Sequence, residues 1–449
     1  MKQGRSLIVL SVGVLLIAVV MLAVGCGGGD RDLATARPRP DARQVILIAV
    51  DGLRADHLGS LGGTVATPNL DAFAASAARF DWCFAQAGDP AVSFASLLTG
   101  LYPTTSGVLE AGDRLPDGAV SLAEALAATG LTTTAFVEGA PGGDDFGLGQ
   151  GFATYDASAE PGVAARQWLR DHAGEDFLLV LRGWSVGLDA APATAVEGVE
   201  PPEGFFERVQ VVLASARTDN PAAFEPGDLE YLKLLYARRI QAADQALGEF
   251  RAELEELGLA KQATLIVAGT SGLDLGQHGP TGAQSLHATV TRVPLILSIP
   301  GGRGAAQAID KIVELVDLMP TILELQGVAV PAGVQGASVL PIIDGTGRPP
   351  YIAFSESAGF GRQRAVALGG LHLLVSLDGG SRALFDLAAD PAELTDITAA
   401  QAEKAAVMER HLDAWGKMVA AVSLDPELRT EEELDDATLD QLRSLGYIQ

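Results

Sequence analysis

Asp51 closes the apolar run Val45 to Val50, Arg182 closes Phe177 to Leu181, and Thr270 and Ser271 follow Ala263 to Ala268. Each stands where a buried strand would release its last side chain, and in an open α/β sheet ligands bind beyond those carboxyl ends. A carboxylate there can hold a hard divalent cation, and a guanidinium can hold an anion. Asp51 is therefore a candidate ligand, or else it caps the turn after it. Arg182 is a candidate anion binder, or else it pairs with a neighbouring carboxylate. Arg54 is the other cation placed near this crevice. Ser93 lies near the start of a helical stretch whose amino end faces the same place, yet no base stands beside it in sequence to activate it. Asp274, His278 and His287 either form a small metal site or bond locally within their loop. His57, after Asp56 in a turn, reads as structural.

The elements that must position these residues alternate. Val45 to Val50, Thr132 to Val137, Phe177 to Leu181, Ala263 to Ala268 and Pro294 to Ile299 are short, continuous apolar runs, the pattern of strands buried on both faces. Helical stretches lie between them. Ser121 and Glu124 have the spacing of a capping box before Leu122 to Ala127. After Asp228, apolar residues from Ile240 to Leu257 recur at steps of three and four, and Gly258 is placed to end that helix. This predicts an α/β domain with a largely parallel central sheet over residues 44–345. Residues 346–449 read as a small C-terminal α+β subdomain with a hairpin (Leu371 to Ser376, Arg382 to Phe385), a last helix from about Ala399 to Val419 and an acidic tail.

The chain has 449 residues and a formal net charge of −26, so a nucleic-acid backbone is excluded as a partner by charge repulsion. Two cysteines cannot build a disulfide framework or a zinc-cysteine cluster. Residues 1–25 carry a short basic start and an uncharged apolar run, the pattern of a secretory signal. Gly25-Cys26 then resembles a bacterial lipoprotein cleavage site with Cys26 acylated; an uncleaved anchor helix is the alternative. Residues 26–43 form a Gly- and Pro-rich spacer. Both alternatives place the protein in the cell envelope. With Gly at position 27 the outer membrane is the expected destination if the cell is Gram-negative. Cys83, among aromatic neighbours, reads as a buried thiol.

The segment Ile46-Leu47-Ile48-Ala49-Val50-Asp51-Gly52-Leu53-Arg54-Ala55-Asp56-His57 resembles the amino-terminal motif of the sulfatase family. Thr67-Pro68-Asn69-Leu70-Asp71, Ser96-Leu97-Leu98-Thr99-Gly100-Leu101-Tyr102-Pro103, Arg292-Val293-Pro294-Leu295-Ile296, Val316-Asp317-Leu318-Met319-Pro320-Thr321 and Leu384-Phe385-Asp386-Leu387 continue it in order. The resemblance implies an alkaline-phosphatase-like α/β/α sandwich, a divalent cation (Ca or Mg) and hydrolysis of sulfate or phosphate esters.

Carried over position by position, the same resemblance leaves the site depleted. The second acidic ligand falls on Gly52, the nucleophile on Pro90, the proline two places later on Val92, and the basic residue on Phe94. The second metal motif falls on Thr270 and Ser271, and two further histidine positions fall on Arg182 and Gly187. Pro90 has no hydroxyl or thiol with which to attack. No Lys or Arg occurs between Arg79 and Arg114, or between Lys261 and Arg292, the segments that would flank the anion. The leading expectation is thus a sulfatase-like lipoprotein without catalysis or cofactor, which binds or scaffolds an envelope protein or glycan. The alternative is an active sulfuric or phosphoric ester hydrolase with an unconventional nucleophile, Ser93 or water, and a divalent cation held at Asp51. A glycan-modifying transferase ranks third, since it needs the same nucleophile.

Overall fold

The large sheet of this computed structural model comprises β1 (Gln44–Val50), β2 (Ala78–Phe84), β3 (Thr132–Glu138), β4 (Thr154–Ser158), β5 (Phe177–Arg182), β6 (Thr264–Gly269), β7 (Arg292–Ser298) and β8 (Gln307–Glu314). Their order is β4-β3-β5-β1-β6-β7-β2-β8, and every pairing is parallel except the two made by β7. The structure describes residues 43–139, 146–187, 199–215, 222, 224–279, 285–347, 349, 351–358, 361–430 and 438–439. The expected leader, Cys26, most of the spacer and the acidic cluster from 431 to 436 lie outside them.

All residues of β1 are buried, because β5 and β6 flank it and helices cover both faces. Val45, Leu47 and Ala49 join Leu178 and Val180 in the core beneath helices Pro90–Thr99 and Leu122–Ala127. Ile46, Ile48 and Phe177 point to the opposite face, where Trp168 of helix Pro161–His172 meets the Phe177 ring edge-on at 5.3 Å. This is the expected α/β/α layering. The register sets Ala49 beside both Arg182 and Ala268, so Asp51, Arg182 and Thr270 emerge at one rim.

The capping box at Ser121 and Glu124 is formed. The long helix is Pro226–Glu256, opening two residues before Asp228 because Glu225 and Asp228 make its own capping box. Gly258 follows it with φ +75°. Strands β2, β4 and β8 were not visible as apolar runs. β2 and β8 carry charged residues such as Arg79, Asp81, Asp310 and Lys311 among their buried ones, and β4 is a half-exposed edge strand.

The second, antiparallel sheet has β9 (Ile352–Ser357), β10 (Gln363–Leu368), β11 (Leu371–Ser376) and β12 (Arg382–Asp386) in the order β12-β11-β10-β9. Helix Ala402–Ala421 covers it. Trp415 of that helix stacks on Phe354 at 4.9 Å and meets Tyr102 edge-on at 5.1 Å. Glu314, at the end of β8, accepts from Tyr102 Oη at 2.9 Å, Gln86 Nε2 at 3.3 Å and the Phe354 amide at 2.8 Å. Burial, with Asp317 nearby, pushes the Glu314 carboxyl well above its ordinary value.

Candidate functional site

Arg182 and Asp51 face each other across neighbouring strand ends. Arg182 Nε donates to Asp51 Oδ1 and Oδ2 at 3.2 and 3.0 Å, and Nη2 donates to Oδ2 at 2.7 Å. Thr270 Oγ1 donates to Asp51 Oδ1 at 2.5 Å. Both side chains are mostly buried, at 17% and 18% exposure, so the pair is only weakly screened. Burial alone would disfavour the guanidinium charge, but Asp51 directly opposite outweighs it and raises Arg182 above its ordinary value. Of the alternatives for Asp51 and Arg182, the geometry has the ion pair.

The guanidinium carbon also lies 5.0 Å over the ring of Phe94. Phe94 belongs to helix Pro90–Thr99, whose first turn lines the cleft with Arg182 through Ala91. Pro90 takes the first helical position, where a missing N–H costs nothing. Asp89 caps that end, its Oδ1 accepting from Ala91 N at 2.8 Å and Val92 N at 3.4 Å. The helix terminus that could hold an anion thus already has a carboxylate on it. Sequence reasoning passed over Asp89, although Asp followed by Pro is an N-cap signature.

Ser93 is fully buried, and its Oγ donates to Ala87 O at 2.8 Å and accepts from Ala87 N at 3.1 Å. Its hydroxyl is thus engaged with the backbone of the Ala87 turn. Arg54, expected at the crevice, is instead used inside the fold. Its Nε and Nη2 grip Asp56 at 2.9 and 2.7 Å, and Nη1 donates to Leu273 O at 2.9 Å. Burial works against the Asp56 carboxylate, but His57 and Arg54 outweigh it and hold it below the usual range.

Gly52 has φ +79°, and a Cβ there would come within 2.7 Å of Gly187 N and 2.9 Å of Gly187 Cα. The backbone at 187 therefore fills the space that a side chain at 52 would need. Tyr236 Oη donates to Gly52 O at 2.6 Å and fixes this turn. Beside Arg182 opens a cleft of about 240 Å³ lined by Glu110, Asp113, Glu138, Phe146 and Tyr155 among others.

Asp274, His278 and His287 do come together. His278 Nδ1 meets Asp274 Oδ2 at 2.5 Å, and its Nε2 meets Ala392 O at 2.8 Å. The His287 ring stacks on His278 at 3.5 Å. Glu393 and His372 complete the group; neither was visible from the sequence, because the fold carries them in from more than eighty residues downstream. Cys83 is buried, and that burial pushes its thiol up.

The sulfatase family model matches residues 43–160 and 212–328, and the C-terminal model of N-sulphoglucosamine sulphohydrolase matches residues 276–415. The chain belongs to the sulfatase family. It is 29% identical over 152 residues to N-acetylglucosamine-6-O-sulfatase of Bacteroides thetaiotaomicron, covering 32% of this chain and 27% of that enzyme. The chain thus spans little more than a quarter of that relative's length. To an arylsulfatase of Clostridium perfringens it is 24% identical over 432 residues, covering 79% of this chain and 89% of the other. The fold is similar to phosphonate monoester hydrolase of Agrobacterium radiobacter, with a TM-score of 0.66 at 19% identity, over 83% of this chain and 95% of that one.

Sulfatases use a divalent cation. Here the donor set at the strand ends does not fit one. Asp51 is the sole carboxylate among the carried-over positions, both its oxygens are engaged by Arg182, and Thr270 spends its hydrogen on one of them. Hard cations of this kind need six or more oxygen ligands.

Proposed function

We propose that this protein keeps the sulfatase fold without ester hydrolysis and serves as a binding or scaffolding protein of the cell envelope. In this reading an acylated Cys26 tethers it to the membrane, the outer one in a Gram-negative cell, and it meets an envelope protein or glycan. The observation that carries the reading is the Arg182–Asp51 pair. A fixed guanidinium stands against the carboxylate where an exchangeable cation would be needed, and Pro90 stands where the attacking group would be. The cleft beside Arg182 carries Glu110, Asp113 and Glu138, so it suits a neutral or cationic glycan better than a polysulfated one.

The direct test is turnover of aryl sulfates, phosphate monoesters and phosphate diesters across Ca, Mg, Mn and Zn. No turnover above the protein-free rate is expected. Metal-dependent turnover that disappears in Asp51→Ala would end the proposal in favour of a hydrolase with an unconventional nucleophile. That second reading draws on the same cleft, which is large enough for a sugar ring beside the strand ends.

A further inference from the structure

Three of the chain's six histidines lie together with two carboxylates where the second sheet meets the loops after β6. His278 and Asp274 come from the loop that leaves β6, His287 from the turn before β7, His372 from β11, and Glu393 from the turn after β12. One donor atom each from His278, His287 and Glu393 lies within 4.8 Å of the others.

Each of those residues has a donor atom held by a polar partner. His278 Nδ1 is held by Asp274 Oδ2 at 2.5 Å, His287 Nδ1 by Ser285 Oγ at 2.5 Å, and Glu393 Oε1 by His372 Nδ1 at 2.6 Å. A carboxylate behind His278, a hydroxyl behind His287 and an imidazole behind Glu393 fix their orientations, the arrangement that supports metal-bound imidazole and carboxylate groups. Glu393 is also the strained residue of its turn. Its φ is +55°, a left-handed conformation that costs a non-glycine residue about 1–2 kcal/mol, and its side chain is fully buried. The residue is held there by Ala288 N, which donates to Oε2 at 2.6 Å, and by His372. Strain of this kind gathers at ligand clamps.

We propose that His278 Nε2, His287 Nε2 and Glu393 Oε2 bind one first-row divalent transition ion, of which Zn is the probe, and that the ion pins the second sheet to the large one. Two imidazoles and one carboxylate suit zinc, whereas Ca and Mg want oxygen ligands. The charge also closes. Asp274 and Glu393 supply two negative charges, so a divalent ion with neutral imidazoles leaves the group neutral. Binding releases the His278 Nε2 proton to solvent, replaces its bond to Ala392 O, and turns the two rings out of their parallel stack, so that both lone pairs converge. His278 and His287 are only partly buried, which leaves an entry path.

The full chain, stripped with chelator, is titrated with ZnCl2 by calorimetry and by thermal melting, with CoCl2 as a spectroscopic probe. One Zn per chain, a raised Tm, no response to Ca or Mg, and cobalt bands of a four-coordinate site are expected. His287→Ala and Glu393→Gln should each weaken binding about tenfold or more, and Ser285→Ala, which removes only the support behind His287, should weaken it less. Circular dichroism establishes that each variant is folded; if either ligand variant is not, Ser285→Ala decides. Asp51→Asn should bind Zn like the parent chain. No Zn binding at about 100 times the protein concentration overturns the proposal, as does binding that survives the variants or is lost with Asp51→Asn. The last outcome would place the ion at the strand ends and count against the function proposed above as well, whereas loss of the first alone would leave that function standing.

Discussion

The Arg182 guanidinium lies between two partners at once, the Asp51 carboxylate at 2.7 Å and the face of the Phe94 ring at 5.0 Å. An arginine sandwiched in this way has little freedom to turn toward a soluble anion. Removing it as Arg182→Ala would strand a largely buried carboxylate, and the cost should be about 3 kcal/mol in chemical denaturation. Arg182→Lys should recover part of this, since an ammonium reaches Asp51 without the paired geometry. Equal stability of Arg182→Ala and the parent chain would show that the pair contributes nothing.

Restoring an acidic side chain beside Asp51 should fail. Gly52→Asp places a Cβ in a left-handed backbone position and against Gly187, so we expect a loss of about 3 kcal/mol and no gain in calcium affinity. A stable Gly52→Asp variant that binds Ca would mean the turn can open.

Glu314 and Asp317 should make stability depend on pH. Burial pushes Glu314 well above 4.5 and Asp317 up to about 6, so the folded chain holds these protons more tightly than the unfolded one. Their contribution is therefore fully present below the unfolded values and is lost as pH rises through the folded ones. The part of the denaturation midpoint that these two carboxyls set should fall as pH rises from 4.5, against an opposite drift from His287, whose depressed imidazole favours folding as pH rises. Glu314→Gln, which copies the neutral form, should flatten part of that slope. An unchanged slope in the variant would assign the effect to the general acidity of the chain.

Cys83 should resist thiol reagents in the native chain and react once the chain is unfolded, because it has no exposed surface and its thiolate is disfavoured. Mass spectrometry of its peptide after a timed maleimide pulse measures this. Rapid native labelling would show that β2 opens locally.

The centre of the fold was legible because β1, β5 and β6 are continuous apolar runs, a pattern that few structures other than a doubly covered sheet can satisfy. β8 was not, because Asp310 and Lys311 lie exposed or half-exposed beside its buried residues and interrupt the run. At the candidate site, Asp51, Arg182 and Thr270 were legible as positions, since each ends a visible strand. Their bonding was not, because a partner choice depends on strand order, and β1 lies between β5 and β6 only in the folded sheet. Glu393 and His372 were hidden for the same reason. Arg54 was misplaced because proximity in sequence to Asp51 says nothing of which way the side chain turns.

Tyr102 belongs to the chain's first hundred or so residues, yet it packs against Trp415 and hydrogen-bonds to Glu314, which in turn holds the first strand of the second sheet. The hydrophobic cluster under helix Ala402–Ala421 thus joins Tyr102 to residues of the C-terminal region. A truncation near residue 345 would expose Tyr102 and Val316 and leave the Glu314 carboxyl facing water without its Phe354 donor. The two sheets should melt together in one cooperative transition, and a recombinant fragment ending there should aggregate rather than survive as an independent module.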